Sequence, residues 1–212
     1  MSHRRLPTDT DDGLLLIISG PSGVGKTTIT RGVERSIPDA VFSVSWTTRA
    51  PTPADVEGVD YHFVSDDAFE QMRREDGFLE SAGVYGKKYG TPRAWVFEQL
   101  ARGRVVILEI DVQGAIQVKQ RVADAFAVFI LPPSEDVLLS RLRERKREGE
   151  EQIQKRFAAA RREIAQARES GVYNVFVVNE RLEEAIGLCL RHVDEARAAR
   201  RAGGPSAGHS PA

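Results

Sequence analysis

Residues Gly20, Pro21, Ser22, Gly23, Val24, Gly25, Lys26 and Thr27 follow the spacing G-x-x-x-x-G-K-[ST] of a phosphate-binding loop. The three glycines admit backbone conformations that a side chain would block, so successive N–H groups can turn toward phosphate oxygens. Lys26 can reach the outer phosphates of a nucleoside triphosphate, and the Thr27 hydroxyl can ligate Mg2+. The loop follows the apolar run Leu14–Ser19 and leads into a helical pattern, whose N-terminus adds the positive end of its dipole. The eight residues together predict binding of a nucleoside triphosphate. A switch GTPase or ATPase, a motor and a small-molecule kinase all use such a loop. No NKxD-like guanine motif is present, and 212 residues are few for a motor.

The elements that must hold this loop follow from short apolar runs alternating with helical patterns. Leu14–Ser19, Val41–Val44, Val105–Ile110, Phe126–Leu131 and Val175–Val178 read as strands. Helices are expected over Lys26–Ser36 (ended by Pro38), after the strand Val105–Ile110 through about Arg121, through a charged region at 134–170, and over Leu182–Arg201. Ser134 is an expected N-cap, with Glu135 and Asp136 suiting the first turn. Strands that are apolar throughout and alternate with helices imply an α/β fold with a parallel sheet covered on both faces. The stretch 45–93 breaks the alternation. It is rich in Gly, Pro, Tyr and Thr, holds one expected helix (Asp66–Arg74), and reads as an insertion that carries substrate specificity.

Composition narrows the function classes. The chain has 30 Lys+Arg against 31 Asp+Glu, a net charge of −1, which argues against a dedicated nucleic-acid binder. Of the basic residues 24 are Arg and 6 are Lys, and Arg offers the planar fork that fits phosphate. A single cysteine, Cys189 in the apolar stretch AIGLCL, excludes an internal disulfide framework and reads as a core residue. The longest apolar run, Leu14–Ile18, is too short to span a bilayer, and the polar N-terminus lacks a signal core, so a soluble cytoplasmic protein is expected.

Further motifs lie downstream: FSVSWTTRAP at 42–51, GVDYHF at 58–63, GFLESA at 77–82, KKYGTP at 87–92, LEIDVQG at 108–114, ILPPS at 130–134, a basic run at 141–156 and VFVVNE at 175–180. In this order, over about residues 14–190, the chain closely resembles the guanylate kinase family of P-loop nucleoside monophosphate kinases. The resemblance implies a P-loop kinase core with an inserted GMP-binding subdomain and a mobile lid. It implies transfer of the γ-phosphoryl group of ATP to GMP, with dGMP a further expected acceptor, and Mg2+ as cofactor. The alternatives are a related kinase with a different acceptor and a non-catalytic binding module; the intact GPSGVGKT and the absence of flanking domains favour the enzyme.

Residue by residue, the resemblance implies that Arg49, Tyr61 and Tyr89 grip the GMP phosphate and that Glu80 accepts from guanine N1–H and the 2-amino group. Ser45 and Thr91 would serve the guanine O6 region. Asp111 would lie near Mg2+ or the acceptor, or serve as a helix cap at a strand end. Asn179 would lie near the adenine of ATP, or cap a helix. Arg141, Arg145 and Arg156 match the lid arginines that act with Lys26 and Arg49 in catalysis, and Gly149 could be a hinge. The chain departs from the family pattern at Thr52, where a second phosphate-gripping arginine is usual; Lys87 or Lys88 is a candidate substitute, and a raised KM for GMP is the alternative.

The expected organisation is an N-terminal tail at 1–12, a kinase-like domain at 13–197 and a C-terminal tail at 198–212. Within the domain, the core comprises 13–44, 94–140 and 158–197, the insertion 45–93 and the lid 141–157. ATP and GMP are the expected partners, with neither nucleic acid nor membrane; the sequence leaves monomer or homo-oligomer open.

Overall fold

The computed structural model describes residues 13–84, 86–144 and 149–202. The tail at 1–12, residues 203–212 of the other tail, and Arg145 of the lid therefore lie outside the described residues.

The core sheet has five parallel strands: β1 (Leu14–Ser19), β2 (Ala40–Phe42), β7 (Val105–Glu109), β8 (Phe126–Leu131) and β9 (Val175–Val178), in the order β2-β7-β1-β8-β9. The central β1 shows why these runs are apolar throughout. Leu14, Leu16 and Ile18 point into one core layer with Ile29 and Val33 of α1 (Lys26–Ser36) and Cys189 and Val193 of α7 (Leu182–Ala202). Leu15 and Ile17 point into the opposite layer, with Val96 of α3 (Arg93–Ala101) and Ala115 and Val118 of α4 (Val112–Arg121). A strand sandwiched between two helical layers has no solvent face, so period-two alternation disappears. Cys189 is fully buried, as expected of a core residue, and burial pushes its thiol up to about 11.

The insertion folds as its own sheet. Strands β3 (Trp46–Thr47), β4 (His62–Phe63), β5 (Phe78–Val84) and β6 (Lys87–Pro92) pair in the order β4-β3-β6-β5. Helix α2 (Asp66–Arg74) forms where expected, capped by the Ser65 hydroxyl, which accepts from Ala68 N at 3.2 Å.

Four details differ from the sequence expectation. Strand β2 is only Ala40–Phe42, although Ser43 N still donates to Ile107 O of β7 at 3.0 Å. Helix α3 was not foreseen: it starts directly after Pro92, and its sequence RAWVFEQLA has almost no amphipathic period to read. The charged region 134–170 is divided into α5 (Glu135–Glu144), with Ser134 capping at Val137 N, and α6 (Glu150–Ser170), with Gly149 as its N-cap. Helix α7 matches the helix expected over Leu182–Arg201 to within one residue, so residues 198–202, assigned to the C-terminal tail in the expected domain division, are helical. Arg200 fastens that turn to Gly13 O (2.9 Å) and to Asp124 Oδ2 (2.8 Å), while Arg197 grips Asp39 through two bonds of 2.9 and 2.7 Å. These two arginines are structural ties. Among the described residues no helix is long and apolar enough to cross a membrane.

Candidate active site

The phosphate-binding loop joins β1 to α1 at the C-terminal edge of the parallel sheet, where open α/β sheets bind ligands. Gly25 is the N-cap of α1 at φ +96°, and a Cβ there would fall 2.8 Å from Asn179 Nδ2; both constraints demand glycine. The loop is braced from outside. Asn179 is buried beyond β9, and its amide donates to Val24 O at 2.7 Å. Arg141 of α5 donates to Asn179 O at 3.1 Å, and Arg156 of α6 donates to the Ser22 hydroxyl at 2.6 Å. Asn179 thus holds the loop backbone and does not cap α7. Arg156 thus meets the loop directly and Arg141 through Asn179, the two arginines, fifteen positions apart in sequence, lying on the packed helices α5 and α6.

Lys26 Nζ donates to Gly20 O and to Pro21 O, the latter at 3.2 Å, so its ammonium lies back over the loop. The Thr27 hydroxyl donates to Glu109 Oε1 at 2.9 Å. Glu109 ends β7, and sequence reasoning missed it; its place at the tip of a buried strand, two residues before Asp111, was the available signal. A hydroxyl that donates its hydrogen to a carboxylate keeps its oxygen lone pairs for a cation, and hydroxyl and carboxylate oxygens are the donors Mg2+ prefers. A second carboxylate was also missed. Glu163 of α6 stands two helical turns beyond Arg156, on the same side of the helix. Burial pushes it up to about 7, the nearby Lys26 charge opposes that rise, and Asp111 adds to it.

The inserted sheet gathers the acceptor-side candidates. Glu80 on β5 pairs in register with Thr91 on β6, and Trp46 of β3 pairs with Gly90. One step along that register puts Ser45 level with Thr91, so Ser45, Thr91 and Glu80 form a row across the sheet. Glu80 is 5% exposed and accepts from the Thr91 hydroxyl at 2.7 Å. Burial pushes its carboxyl up to about 7; the Thr91 bond works against this and the Asp111 charge adds to it. Asp111 itself caps α4, accepting from Gly114 N at 2.8 Å.

Two residues along the same sheet, at Tyr89, the polar row gives way to a corner that holds Tyr61 and Arg49. The Tyr61 and Tyr89 rings meet edge to face at 5.7 Å, and the Arg49 guanidinium lies 5.1 Å from the Tyr61 ring centre. Asp55 takes both terminal nitrogens of Arg49, at 3.0 and 2.9 Å, and Ala50 O takes Nη1 at 3.2 Å. That leaves the Nε–Nη2 edge of the guanidinium, a bidentate edge, turned away from Asp55. The Arg49 bonds hold the Asp55 carboxyl well below the usual range. The Tyr61 hydroxyl is raised chiefly by burial, with the charge of Glu109 among the further causes.

Thr52 is exposed and contributes its backbone, donating to Asp55 Oδ2 at 2.5 Å. Lys88 does not replace the missing arginine: its ammonium is tied to Asp66 at 2.9 Å and Glu70 at 2.8 Å on α2. Lys87 is exposed at the start of β6.

The chain is similar to known proteins over most of its length. A family model described as guanylate kinase matches residues 13–195. The guanylate kinase of Nitrosospira multiformis is 45% identical over 177 residues, 84% of this chain and 83% of its own. That of Anaeromyxobacter dehalogenans is 47% identical over 186 residues, 87% of this chain and 79% of its own. The crystal structure of guanylate kinase from Anaplasma phagocytophilum matches with a TM-score of 0.69 at 28% identity, covering 87% of this chain and 86% of that one.

Proposed function

The chain belongs to the guanylate kinase family, and from that membership we propose a division of labour among its residues. The enzyme transfers the γ-phosphoryl group of ATP to GMP. A GMP phosphate oxygen forms the new bond to the γ-phosphorus, the bond from that phosphorus to the β–γ bridging oxygen breaks, and ADP and GDP result. No protein nucleophile is needed, so the work is positioning and stabilisation of charge.

On the donor side, the backbone from Gly20 through Gly25 wraps the triphosphate and Lys26 neutralises its outer oxygens, exchanging two loop carbonyls for phosphate. Thr27, backed by Glu109, would hold Mg2+, which when bound neutralises phosphate oxygens and aligns the triphosphate. Arg141 and Arg156 supply positive charge to the transferring group from α5 and α6, and Asn179 keeps the loop in shape. Arg145 completes the lid in this reading. On the acceptor side, Arg49 offers its Nε–Nη2 edge to the GMP phosphate with Tyr61 and Tyr89 beside it. Glu80 as a carboxylate accepts from guanine N1–H and the 2-amino group; Ser45 and Thr91 complete the base site. Asp111 supports the base site through its cap on α4. We place the protein in the cytoplasm, with no nucleic-acid or membrane partner.

The observation that carries the acceptor assignment is the buried Glu80, a carboxylate at the end of a row of hydroxyls. Adenine presents no matching pair of donors. An assay of ADP release with GMP, dGMP, AMP, CMP and UMP is expected to show turnover with GMP and dGMP alone. No GMP-dependent turnover would overturn the function, and equal turnover of AMP would overturn the role of Glu80.

Thr52 leads to a second expectation. Lys88 is tied to α2 and does not make up the missing charge beside Arg49, whose own charge is partly balanced by Asp55. Thr52 bonds Asp55 through its backbone N–H, a contact an arginine would keep, and also through its side chain, a contact it would give up. Thr52→Arg is expected to lower the KM for GMP roughly tenfold or more, from one added charged hydrogen bond of about 1.5–3 kcal/mol. The KM for ATP should stay constant. An unchanged KM for GMP would mean the phosphate site is already saturated with donors.

A further inference from the structure

Strand β5 is an edge strand of the inserted sheet, paired only with β6. At Ser81 the strand is nonetheless bonded from α4. Gln117 of α4 accepts from Ser81 N through Oε1 and donates to Ser81 O through Nε2, both at 3.1 Å. A side-chain amide here does what a neighbouring strand would do, on the residue next to Glu80. One turn earlier on the same side of α4 is Gly114. A Cβ on Gly114 would lie 2.9 Å from Glu80 Oε2 and 3.3 Å from both Glu80 Cδ and Ile110 Cβ. The carboxylate cannot simply swing aside, because it is buried and held by Thr91. The backbone of Gly114 is equally fixed, since its N–H is taken by Asp111.

We infer that Gly114 and Gln117 are specificity-positioning residues: this side of α4 is a rigid seat that fixes where the Glu80 carboxylate meets the acceptor base. Gln117 sets the strand and Gly114 sets the depth of the carboxylate. The seat joins the inserted sheet to the core, because α4 begins at the tip of β7, next to Glu109 and the phosphate-binding loop. The inference rests on the reading that Glu80 binds guanine. Its consequence is discrimination at the 2-amino group, the donor reached only by a carboxylate at the right depth.

The test compares GMP with inosine monophosphate, which keeps N1–H and O6 but lacks the 2-amino group. Steady-state kcat/KM for both acceptors is measured in the wild type, Gly114→Ala and Gln117→Ala. General damage to folding or catalysis cancels in the GMP/IMP ratio; misplacement of the carboxylate does not. The wild type is expected to prefer GMP. The ratio is expected to fall at least about fivefold in Gly114→Ala and less in Gln117→Ala, with the change in the acceptor KM and not in the KM for ATP. A fall of more than twofold in either variant supports the seat, and Gln117→Ala decides if Gly114→Ala does not fold. Ratios within twofold of the wild type in both variants overturn it. A wild type that does not distinguish GMP from IMP overturns the role given to Glu80, and the seat with it.

Discussion

Lys26→Met is expected to lower kcat for GMP phosphorylation by roughly 10²- to 10³-fold, the usual effect of removing one preorganised charge from a transition state. The ammonium bonds to Gly20 O and Pro21 O, at the rim of the loop where the outer phosphates must sit. Methionine keeps most of the length and apolar surface of the stem and removes only the charge and its donors. The loop should keep its shape, because Asn179 holds Val24 O, Arg156 holds Ser22, and the left-handed Gly25 needs no lysine. The melting temperature should therefore change little while turnover collapses. Steady-state kinetics beside a thermal melt check this, and a kcat within threefold of the wild type would refute the role given to Lys26.

Glu80→Gln is expected to lower kcat/KM for GMP by roughly 10²- to 10⁴-fold, from two charged hydrogen bonds of about 1.5–3 kcal/mol each. The amide can still accept from Thr91, yet it turns a donor toward a base that itself presents donors. The wild type should also show a pH dependence that the variant lacks. Burial raises the Glu80 carboxyl to about 7, so in the free enzyme it is largely protonated at pH 6 and ionised at pH 8. Only the carboxylate accepts both guanine donors. The KM for GMP should thus fall as pH rises from 6 to 8 and level off above that, and the KM of the glutamine variant should be flat over the same range. Stability runs the other way. The folded-state value lies above the ordinary 4.5, so the contribution of Glu80 is complete below about 4.5 and lost as pH rises through about 7. Glu80→Gln should therefore melt no lower than the wild type at pH 8. A variant that keeps its GMP turnover, or a wild-type KM that rises with pH, would sink the assignment.

The assigned roles use few of the many arginines. Arg49, Arg141 and Arg156 lie at the candidate site, whereas Arg197 and Arg200 tie α7 to the rest of the core. One fork of donors serves both purposes, so composition alone cannot separate them.

What the sequence determined by itself was local in origin. The phosphate-binding loop was legible because eight consecutive residues build it and its glycines are a local backbone requirement. The buried strands were legible because two helical layers suppress alternation over five or six residues, and α2 because Ser65, its acidic first turn and its period all lie within ten positions. The row of Ser45, Thr91 and Glu80 needed the resemblance, since nothing within any one segment marks a carboxylate as buried.

Only the tertiary structure decided the rest. It set Glu109 against Thr27, 82 positions away, and Asn179 against Val24, 155 positions away. It also placed Asp55 on Arg49, Lys88 on α2, and Gly114 beneath Glu80. Helix α3 escaped because, packed between sheet and insertion, it carries no clear polar face. Each of these depends on a distance between segments remote in the chain. Charge, burial and carboxyl ionisation follow from such distances, and residue type and spacing do not encode them until the sheet and its helices have packed.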